Sequence, residues 1–440
     1  MEGLTGVDSD RIIDRLTKSL GSGFATTDES LAAKLTGQRD VVVVTPENEE
    51  QLSALMRIAS EEAWVVAPIG AGTQLGIGNI PNHVDVVFQL TKLNKVLDYS
   101  PADMVVSVQA GTPLVNLQKT LNEAGQMLPV DPVLSDTATI GGLVATGVSG
   151  PMRAYYGTLR DFTIGLRTVY PDGRLVRTGG KVVKNVAGYD MTKLFVGSLG
   201  TLACLSEITF KLRPLPRYRS LAVVSGNAES CQTLTLNING SHLIPSRLEA
   251  LSGSYFSLVN SESKWSVAID CDENQASGKY QLDEISKLAN ELGLAYTSYE
   301  STDVEQFWSN YRNSLVDSDL VIRFTGQPKQ LILLAQKMKE ALPHSDVEPY
   351  FSLSVSTGVG RLFFRDMLDT ELATNIVSAC RHVCQEFGGF ITIETASIPV
   401  RQQVNAFNKL QDNLSLLKGV KDTIDPLSIM NTGRLFGDFR

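Results

Sequence analysis

Residues 68–78 read PIGAGTQLGIG, and they overlap the end of an apolar run, WVVAPIG (64–70), that predicts a buried strand. The glycines at 70, 72 and 76 are spaced one residue more widely than the G-x-G-x-x-G fingerprint requires. Asn79 and Pro81 stand where the helix of a dinucleotide-binding fold would begin, so the Rossmann interpretation is excluded. A glycine loop after a strand can still bind phosphate through successive backbone N–H groups, although a simple tight turn has the same composition.

The segment before this loop predicts a strand–helix–strand unit. VVVV (41–44) is typical of a buried strand, and Thr45-Pro46-Glu47 has the order of a helix cap, a first-turn proline and an acid. Apolar residues then recur at helical spacing, at Leu52, Leu55, Met56 and Ala59. We therefore expect a helix that begins after Thr45.

Composition and charge restrict the classes of protein to which the chain can belong. Its 440 residues are enough for two or three domains, and 39 Lys+Arg against 48 Asp+Glu give a net charge of −9. Because no basic run interrupts this acidic balance, we expect no nucleic-acid partner. The five cysteines are scattered, which is typical of a reduced compartment, and no apolar run approaches the roughly 20 residues that span a bilayer. The sequence predicts a cytoplasmic protein with at most peripheral membrane association.

Glycine is unevenly distributed, which divides the chain into a glycine-rich region and a glycine-poor one. Residues 141–200 contain 12 glycines in 60 positions, whereas residues 216–410 contain 10 in 195. Dense glycine is typical of backbone that turns tightly or approaches a ligand closely, so we expect the ligand near the first region. RPLPR (213–217) is a proline-rich break and indicates a domain boundary.

The region after this break predicts an α+β domain with one sheet and helices on one face. Helical spacing recurs over 281–292, 329–342 and 371–387, and strand-like runs lie between these segments. The two strand-rich halves suggest an internal duplication of topology. Cys380 and Cys384 are one helical turn apart, which favours core packing over a metal site because a structural zinc needs four ligands.

Further motifs follow in order: VDP (130–132), TIGGLVATGVSGP (139–151), YYGTLRDFTIG (156–165), GGKVVKNVAGYDMTKLFVGSLGTL (179–202) and DPLSIMNTGR (425–434). With these motifs the sequence resembles the vanillyl-alcohol oxidase, or PCMH-type, superfamily of flavoproteins, in its D-lactate and glycolate dehydrogenase branch. GGKVVKNVAGYD followed by GSLGTL is similar to the FAD-binding E-subunit family of bacterial glycolate oxidases. The resemblance implies an α+β fold, with a bipartite PCMH-type FAD-binding domain and an α+β cap domain.

The resemblance also implies a division of the chain and a set of cofactor-binding residues. Residues 1–215 correspond to the FAD-binding domain with two α/β lobes, 216–404 to the cap or substrate domain, and 405–440 to a segment that returns to the FAD-binding domain. The implied FAD-binding residues of the glycine loop are Pro68, Gly70, Ala71, Gly72, Thr73, Gln74 and Leu75. A second wall along the flavin is implied for the stretch with Thr139, Gly141, Gly142 and Ser149, an adenine clamp for Leu205, and a contact beside the flavin ring and ribityl chain for Asn431 and Arg434.

Histidine and cysteine distinguish this chain from other members of the family. Relatives with covalent flavin carry His or Cys near the glycine loop or the second wall, and neither segment has one here, so noncovalent FAD is expected. Catalytic 2-hydroxyacid members carry a histidine-rich metal cluster in the cap. The four histidines of this chain, His83, His242, His344 and His382, are scattered, and we expect no metal site.

A 2-hydroxyacid substrate needs a cation for its carboxylate, and the cap offers Arg312, Arg323, Arg361 and Arg365. Arg361 follows the loop STGVG (356–360) and is the candidate catalytic residue, with an ion-paired structural arginine as the alternative. Separately, Lys184 and Lys193, with Tyr189 and Asp190 between them, are either a polar lining of the cofactor site or a structural salt-bridge set.

Taken with the resemblance, these residues predict an FAD-dependent oxidoreductase, the FAD-binding subunit of a glycolate (2-hydroxyacid) dehydrogenase or oxidase complex. Hydride is expected to pass from the substrate Cα to flavin N5, giving a 2-oxoacid. The expected partners are a sister flavin subunit and an iron–sulfur subunit. Two alternatives stay open: a noncatalytic flavin-binding relay or assembly subunit, and an independent FAD oxidase of an alcohol or a sugar. The sequence does not identify the general base.

Overall fold

The computed structural model describes residues 8–21, 23–133, 136–180, 189–252, 265–316, 318–344, 346–408 and 413–435. Its first lobe contains the predicted strand–helix–strand unit: α1 (Ser9–Leu20), β1 (Ala25–Thr27), α2 (Glu29–Leu35), β2 (Val42–Val44), α3 (Glu49–Glu61), β3 (Val66–Ile69) and β4 (Val86–Gln89). The strand order is β1-β2-β4-β3, and β2 and β3 both run parallel to β4. The expected helix cap at Thr45 is wrong, because the Asn48 side chain accepts the Gln51 N–H and α3 begins at Glu49.

The second lobe is built around an antiparallel sheet. Its elements are β5 (Val96–Ser100), β6 (Val105–Gln109), α4 (Leu114–Glu123), β7 (Gln126–Met127), α5 (Ile140–Thr146), α6 (Arg153–Tyr156), α7 (Leu159–Phe162), β8 (Thr163–Val169), β9 (Leu175–Gly179), α8 (Thr192–Phe195), β10 (Cys204–Lys211) and β11 (Arg213–Pro214). The strand order is β5-β6-β10-β8-β9, and β7 pairs separately with β11. Met56 and Phe88 of the first lobe share one apolar core with Phe162 and Phe210 of the second, so burial of apolar surface joins the two lobes.

The cap is one eight-stranded sheet made of two similar halves. The first half is β12 (Tyr218–Gly226), α9 (Ala228–Asn239), β13 (Arg247–Ser252), β14 (Trp265–Glu273), α10 (Gln275–Glu291) and β15 (Ala295–Glu300). After α11 (Thr302–Val316), the second half is β16 (Leu320–Thr325), α12 (Leu331–Ala341), β17 (Tyr350–Ser354), β18 (Val359–Phe364), α13 (Thr370–Glu386) and β19 (Ile391–Thr395), which α14 (Ile398–Gln403) follows. The strand order, β15-β12-β14-β13-β17-β18-β16-β19, repeats one arrangement in both halves, which confirms the suggested duplication of topology. The boundaries at residues 215 and 404 stay predictions.

The two faces of the cap sheet differ in chemistry. Leu248 and Ala250 of β13 belong to the apolar core that includes residues of α9, α10, α12 and α13. Cys380 and Cys384 are buried in the same core, as their spacing predicts. The alternate residues of the strands form the inner face, which carries buried charges: Arg247, Glu249, Asp270, Asp272 and Arg361. Part of this inner face is apolar and packs against α11, so the expectation that helices cover only one face is wrong. This face meets the second lobe, where Asp131 accepts a hydrogen bond of 2.9 Å from Arg247.

The C-terminal segment returns to the first lobe. The Met430 backbone forms a parallel bridge with Val66 of β3, after α15 (Leu414–Ile424). Lys421 of α15 is buried, donates hydrogen bonds to Thr201 O (2.7 Å) and Met430 O (2.9 Å), and forms an ion pair with Asp425. The Asp425 carboxylate also accepts hydrogen bonds from the Ile429 and Met430 N–H groups, so the pair fixes the turn before Met430 and holds the tail against both lobes. None of the helices in the described part of the chain has the length and apolar composition of a membrane-spanning segment.

We expect Asp425→Ala to destabilise the protein by about 3–5 kcal/mol, because it leaves the Lys421 ammonium buried and unpaired. Asp422→Ala is the matched control: Asp422 is an exposed residue of the same helix, and its removal should change stability by less than about 0.5 kcal/mol. Chemical denaturation measures both variants. Equal stability of the two variants would contradict the role of the buried pair.

Candidate functional site

One pocket brings together the glycine loop, α5 and the C-terminal segment. Most of the cofactor-binding residues that the resemblance implies line it: Pro68, Gly70, Ala71, Gly72, Thr73, Gln74, Leu75, Thr139, Gly142, Asn431 and Arg434. These residues come from three parts of the sequence, and the parallel bridge between Val66 and Met430 sets the tail beside the loop. The chain therefore assembles the pocket only when the tail is docked.

At two positions of the loop, neighbouring segments approach the backbone so closely that only glycine fits. A Cβ on Gly70 would overlap the Thr139 hydroxyl, so the loop lies directly against the start of α5. A Cβ on Gly76 would lie 2.5 Å from the backbone oxygen of Glu394 on β19, so the same loop also touches the cap. The glycine loop is thus the contact point of the lobes and the cap.

Hydrogen bonds hold the loop from several sides. The Thr146 hydroxyl donates to Gln74 Oε1 from α5. Arg434 donates to Leu75 O at 2.6 Å, and Arg401 of α14 donates to Gly78 O at 3.0 Å. The loop backbone is therefore held by residues more than 70 positions away in the sequence.

The two arginines at this loop are buried cations without an acidic partner. Among the described residues, no carboxylate lies within 4.0 Å of Arg401 or Arg434, and their exposed fractions are 6% and 4%. Burial, with a smaller contribution from Arg401, lowers the pKa of Arg434 to about 9, and burial lowers that of Arg401 to about 10. Because burying unpaired charge is costly, the site favours an anion.

Unsatisfied polar atoms point to the same conclusion. Arg434 Nη1, Asn431 Oδ1 and Ser149 Oγ are buried without a hydrogen-bond partner. Native proteins satisfy nearly all such groups, so each one indicates a bound ligand or water. The residues present fit FAD: its diphosphate is an anion, and its ribityl and ring carry many hydrogen-bonding groups.

Three implied FAD-binding residues lie outside this pocket. Gly141 packs against Ala110, to whose carbonyl it donates a hydrogen bond of 2.6 Å, so close backbone packing explains the glycine. Ser149 is buried further along the second wall, and Leu205 lies on β10 in the shared core. Their contacts with FAD stay predictions.

The geometry of Arg361 supports the alternative interpretation of this residue. Its Nε lies 2.7 Å from Glu394 Oε2 and its Nη2 lies 3.3 Å from Oε1, so the guanidinium is already bound by a carboxylate. It also approaches Ser149 O at 3.5 Å. Burial opposes ionisation of Glu394, yet Arg361 and Arg323 hold its pKa below the usual value. Arg361 is an ion-paired arginine between the cap and the second wall.

The polar set around residue 190 is only partly described. Lys184 lies outside the described residues. Lys193 donates hydrogen bonds to Thr163 O at 2.7 Å and to Arg160 O, while Asp190 accepts the Thr192 N–H. Lys193 therefore satisfies backbone carbonyls, which supports a structural role.

The histidines lie on separate elements. His83 is 3.4 Å from Asp85, His242 bonds the Tyr280 hydroxyl at 2.8 Å, and His382 is 3.4 Å from Glu386 on the same helix. Within the part of the chain that the structure describes, no group of three or more His, Cys, Asp or Glu side chains could hold a metal ion.

Glu249, on the inner face of the cap sheet, is a buried carboxylate that serine hydroxyls bind instead of an arginine. It is 1% exposed, and the described residues place no cation within 4.0 Å of its carboxylate. The hydroxyl of Ser352 donates to Oε2 at 3.1 Å, and that of Ser354 donates to Oε1. Burial raises the pKa of Glu249 to about 7, although both serine hydrogen bonds oppose the shift.

Among the residues that sequence reasoning missed are Thr146 and Leu199, which line the pocket, and Arg401, which holds the loop beside it. Thr146 lies seven residues after Thr139, which is two helical turns, so helical spacing could have placed both on one face of α5. Leu199 contributes its backbone, since its carbonyl accepts the Asn431 amide at 2.8 Å. Nothing in the local sequence of Arg401 indicates its contact with Gly78.

Comparisons with known proteins agree with this geometry. A family model described as "FAD binding domain" matches residues 41–179. Glycolate oxidase subunit GlcD of Bacillus subtilis (strain 168) is 25% identical over 94% of this chain and 95% of the relative. Glycolate oxidase subunit GlcE of Escherichia coli (strain K12) is 46% identical over 28% of this chain and 35% of the relative. The crystal structure of p-cresol methylhydroxylase with substrate bound superposes with a TM-score of 0.76, covering 98% of both chains at 14% identity.

We expect Gly70→Ala to lower the FAD content of the purified protein and to destabilise it by about 1–3 kcal/mol, because the new methyl group overlaps Thr139. Gly419→Ala, on exposed α15 with open space around it, should keep full FAD content. Flavin absorbance per mole of protein measures both. Full occupancy in Gly70→Ala would contradict the close approach of loop and wall.

The raised pKa of Glu249 predicts a pH-dependent stability. The folded state keeps its proton up to about pH 7, whereas the group ionises near 4.5 when unfolded, so its contribution is lost as pH rises between these values. Glutamine does not titrate, so the Glu249→Gln variant lacks this contribution. Between pH 4.5 and 7 the free energy of unfolding should therefore fall by about 3 kcal/mol more in the wild type than in the variant. Denaturant titrations at several pH values test this, and parallel stability curves would contradict it.

Proposed function

Because the chain belongs to the PCMH-type FAD-binding superfamily and is an FAD-dependent oxidoreductase, we propose that it oxidises a small 2-hydroxyacid such as glycolate as the FAD-binding subunit of a dehydrogenase or oxidase complex. The observation that carries the cofactor part is the pocket lined by Arg434, which is buried without an acidic partner among the described residues; Arg401, a second such arginine, holds the glycine loop beside it at Gly78. The similarity to glycolate oxidase subunits supports the substrate class.

The chain's own residues hold the cofactor in this proposal. The loop from Pro68 to Leu75 and the start of α5 accept the diphosphate, with Arg434 as the nearby cation. Asn431 and Ser149 offer their unsatisfied oxygens to the ribityl chain and the ring. Bound noncovalently, FAD supplies a two-electron oxidant that accepts the Cα hydride at N5.

Arg153 is the better candidate for the substrate carboxylate, since Arg361 is occupied by Glu394. Arg153 begins α6, four residues after Ser149 on the second wall, and it is half-buried. Burial lowers its pKa, as do Arg323 and Arg361, and within the described ranges no carboxylate lies close enough to form an ion pair with it. An anionic substrate would relieve this unpaired charge.

Assembly with partners is part of the same proposal. The relatives named as glycolate oxidase subunits support a multi-subunit complex. We propose that its other members are a sister flavin subunit and an iron–sulfur subunit that accepts the electrons. The five cysteines of this chain are all buried and free, so a cluster is assigned to the partner. We also propose a cytoplasmic location, with at most peripheral association with a membrane.

The visible spectrum of the purified chain tests the proposal. We expect acid-releasable FAD whose absorbance near 450 nm bleaches on anaerobic addition of glycolate or D-lactate. FAD that stays oxidised with both acids, with and without partner subunits, would contradict substrate oxidation and favour the relay or assembly alternative. Bleaching only by an alcohol or a sugar would favour an independent oxidase.

A further inference from the structure

The inner face of the cap sheet contains charges that are nearly all paired. Arg361 and Arg323 approach Glu394, at 2.7 and 3.7 Å, and Arg247 binds Asp131 and Asp270. Glu249 differs, because its carboxylate is bound by two serine hydroxyls and by no cation in the described part of the chain. Burial raises the pKa of Glu249, and it also raises the pKa values of Asp131 and Asp270 although Arg247 binds both, whereas Arg361 and Arg323 hold that of Glu394 below its usual value. Glu249 is set apart by its contacts, because no arginine among the described residues occupies its oxygens.

The elements packed around Glu249 place a defined set of titratable groups near it. Arg361 comes from β18, Arg153 from α6, Asp131 from the segment between β7 and α5, and Tyr311 from α11. The Tyr311 hydroxyl and the Ser352 hydroxyl are 2.8 Å apart, which extends the network that ends on Glu249. Arg153 begins α6, which follows the second wall and contacts β13, and the charge of Glu249 acts on its guanidinium, so an unpaired cation lies near Glu249 where the cap meets the lobe.

Oxidation of a hydroxyl to a carbonyl requires a group that accepts the hydroxyl proton. We propose that Glu249 is this proton acceptor, an inference that rests on the proposed function. The substrate O–H bond breaks and its proton moves to a Glu249 oxygen. The electron pair left on the substrate oxygen forms the C=O bond as the Cα hydride leaves to the flavin oxidant. Glu249 then releases the proton to solvent, which restores the carboxylate.

Other candidates for this role are already engaged or distant. Glu394, Asp131 and Asp270 are bound by arginines. The described contacts of the histidines are on other elements: His83 with Asp85, His242 with Tyr280 and His382 with Glu386. Glu249 combines burial, a pKa of about 7 and proximity to the second wall, and a base of that pKa is well matched to neutral pH.

Anaerobic stopped-flow measurement of flavin reduction by glycolate or D-lactate, from pH 5 to 9 with FAD-loaded protein, tests the proposal. The wild-type rate should rise with pH and level off above an apparent pKa near 7. Glu249→Gln should reduce flavin about 10²- to 10⁴-fold more slowly and lose this pH dependence. Glu291→Gln, an exposed acid at the end of α10 on the outer side, should match the wild type.

Ser354→Ala separates a proton-accepting role from a structural one. The Ser354 hydroxyl lowers the pKa of Glu249, so its removal should shift the apparent pKa of the rate profile upward while a plateau remains at high pH. Binding of oxalate, followed by perturbation of the flavin spectrum, gives a readout independent of turnover. Glu249→Gln should bind oxalate with a Kd within about three-fold of the wild type, because the carboxylate-binding cation is untouched.

The outcomes distinguish the two claims. A wild type that no 2-hydroxyacid reduces overturns the proposed function and this inference with it. A wild type that is reduced, together with Glu249→Gln at an equal rate and with an unchanged pH profile, overturns the inference alone. An unshifted profile in Ser354→Ala also contradicts it, whereas loss of rate in Glu249→Gln with intact FAD and oxalate binding supports it.

Discussion

The hydrogen bond from the Arg434 guanidinium to the carbonyl oxygen of Leu75 joins two residues 359 positions apart and is the contact on which the cofactor pocket depends. Arg434 is buried and has no acid partner among the described residues, so the folded chain carries an electrostatic cost at this point. Lys421 and Asp425 hold the tail that delivers Arg434 to the loop. In the proposed function, tail docking and cofactor binding are coupled, since an anionic cofactor would offset the charge that docking buries.

The cap sheet also buries charged residues, but most of them are ion-paired. Its outer face is apolar and packs against helices, which stabilises the sheet, while its inner face packs apolar residues against α11 and buries charged residues toward the second lobe. The Asp131–Arg247 pair, over which Trp308 lies 4.8 Å from the guanidinium, fixes the cap to that lobe. Buried pairs add little net stability, so the proposed function gives this charged face a role that stability alone does not.

The features that the sequence predicts well are local ones. The glycine loop, β2, β3 and the helical segments of the cap follow from apolar runs and spacing within about 20 residues. The error at Thr45 also has a local cause. Asn48, three residues later, is an equally good cap residue, and its side chain accepts the Gln51 N–H. The sequence could not reveal contacts between residues that are far apart in the chain. Glu394 binds Arg361 across 33 positions, and position 141 must be glycine because Ala110 leaves no room for a side chain. Glu249 lies in no motif, and only the fold brings two serines and the second wall to it.

The central claim, that Arg434 closes an anion-binding cofactor site, is tested most directly by the Kd of FAD for apoprotein. Wild type, Arg434→Lys and Arg434→Met are compared by reconstitution titration, with far-UV circular dichroism as a check on folding. We predict that Arg434→Met binds FAD about ten- to a hundred-fold more weakly with its fold retained, and that Arg434→Lys is intermediate. Equal Kd values for the wild type and Arg434→Met would contradict the account.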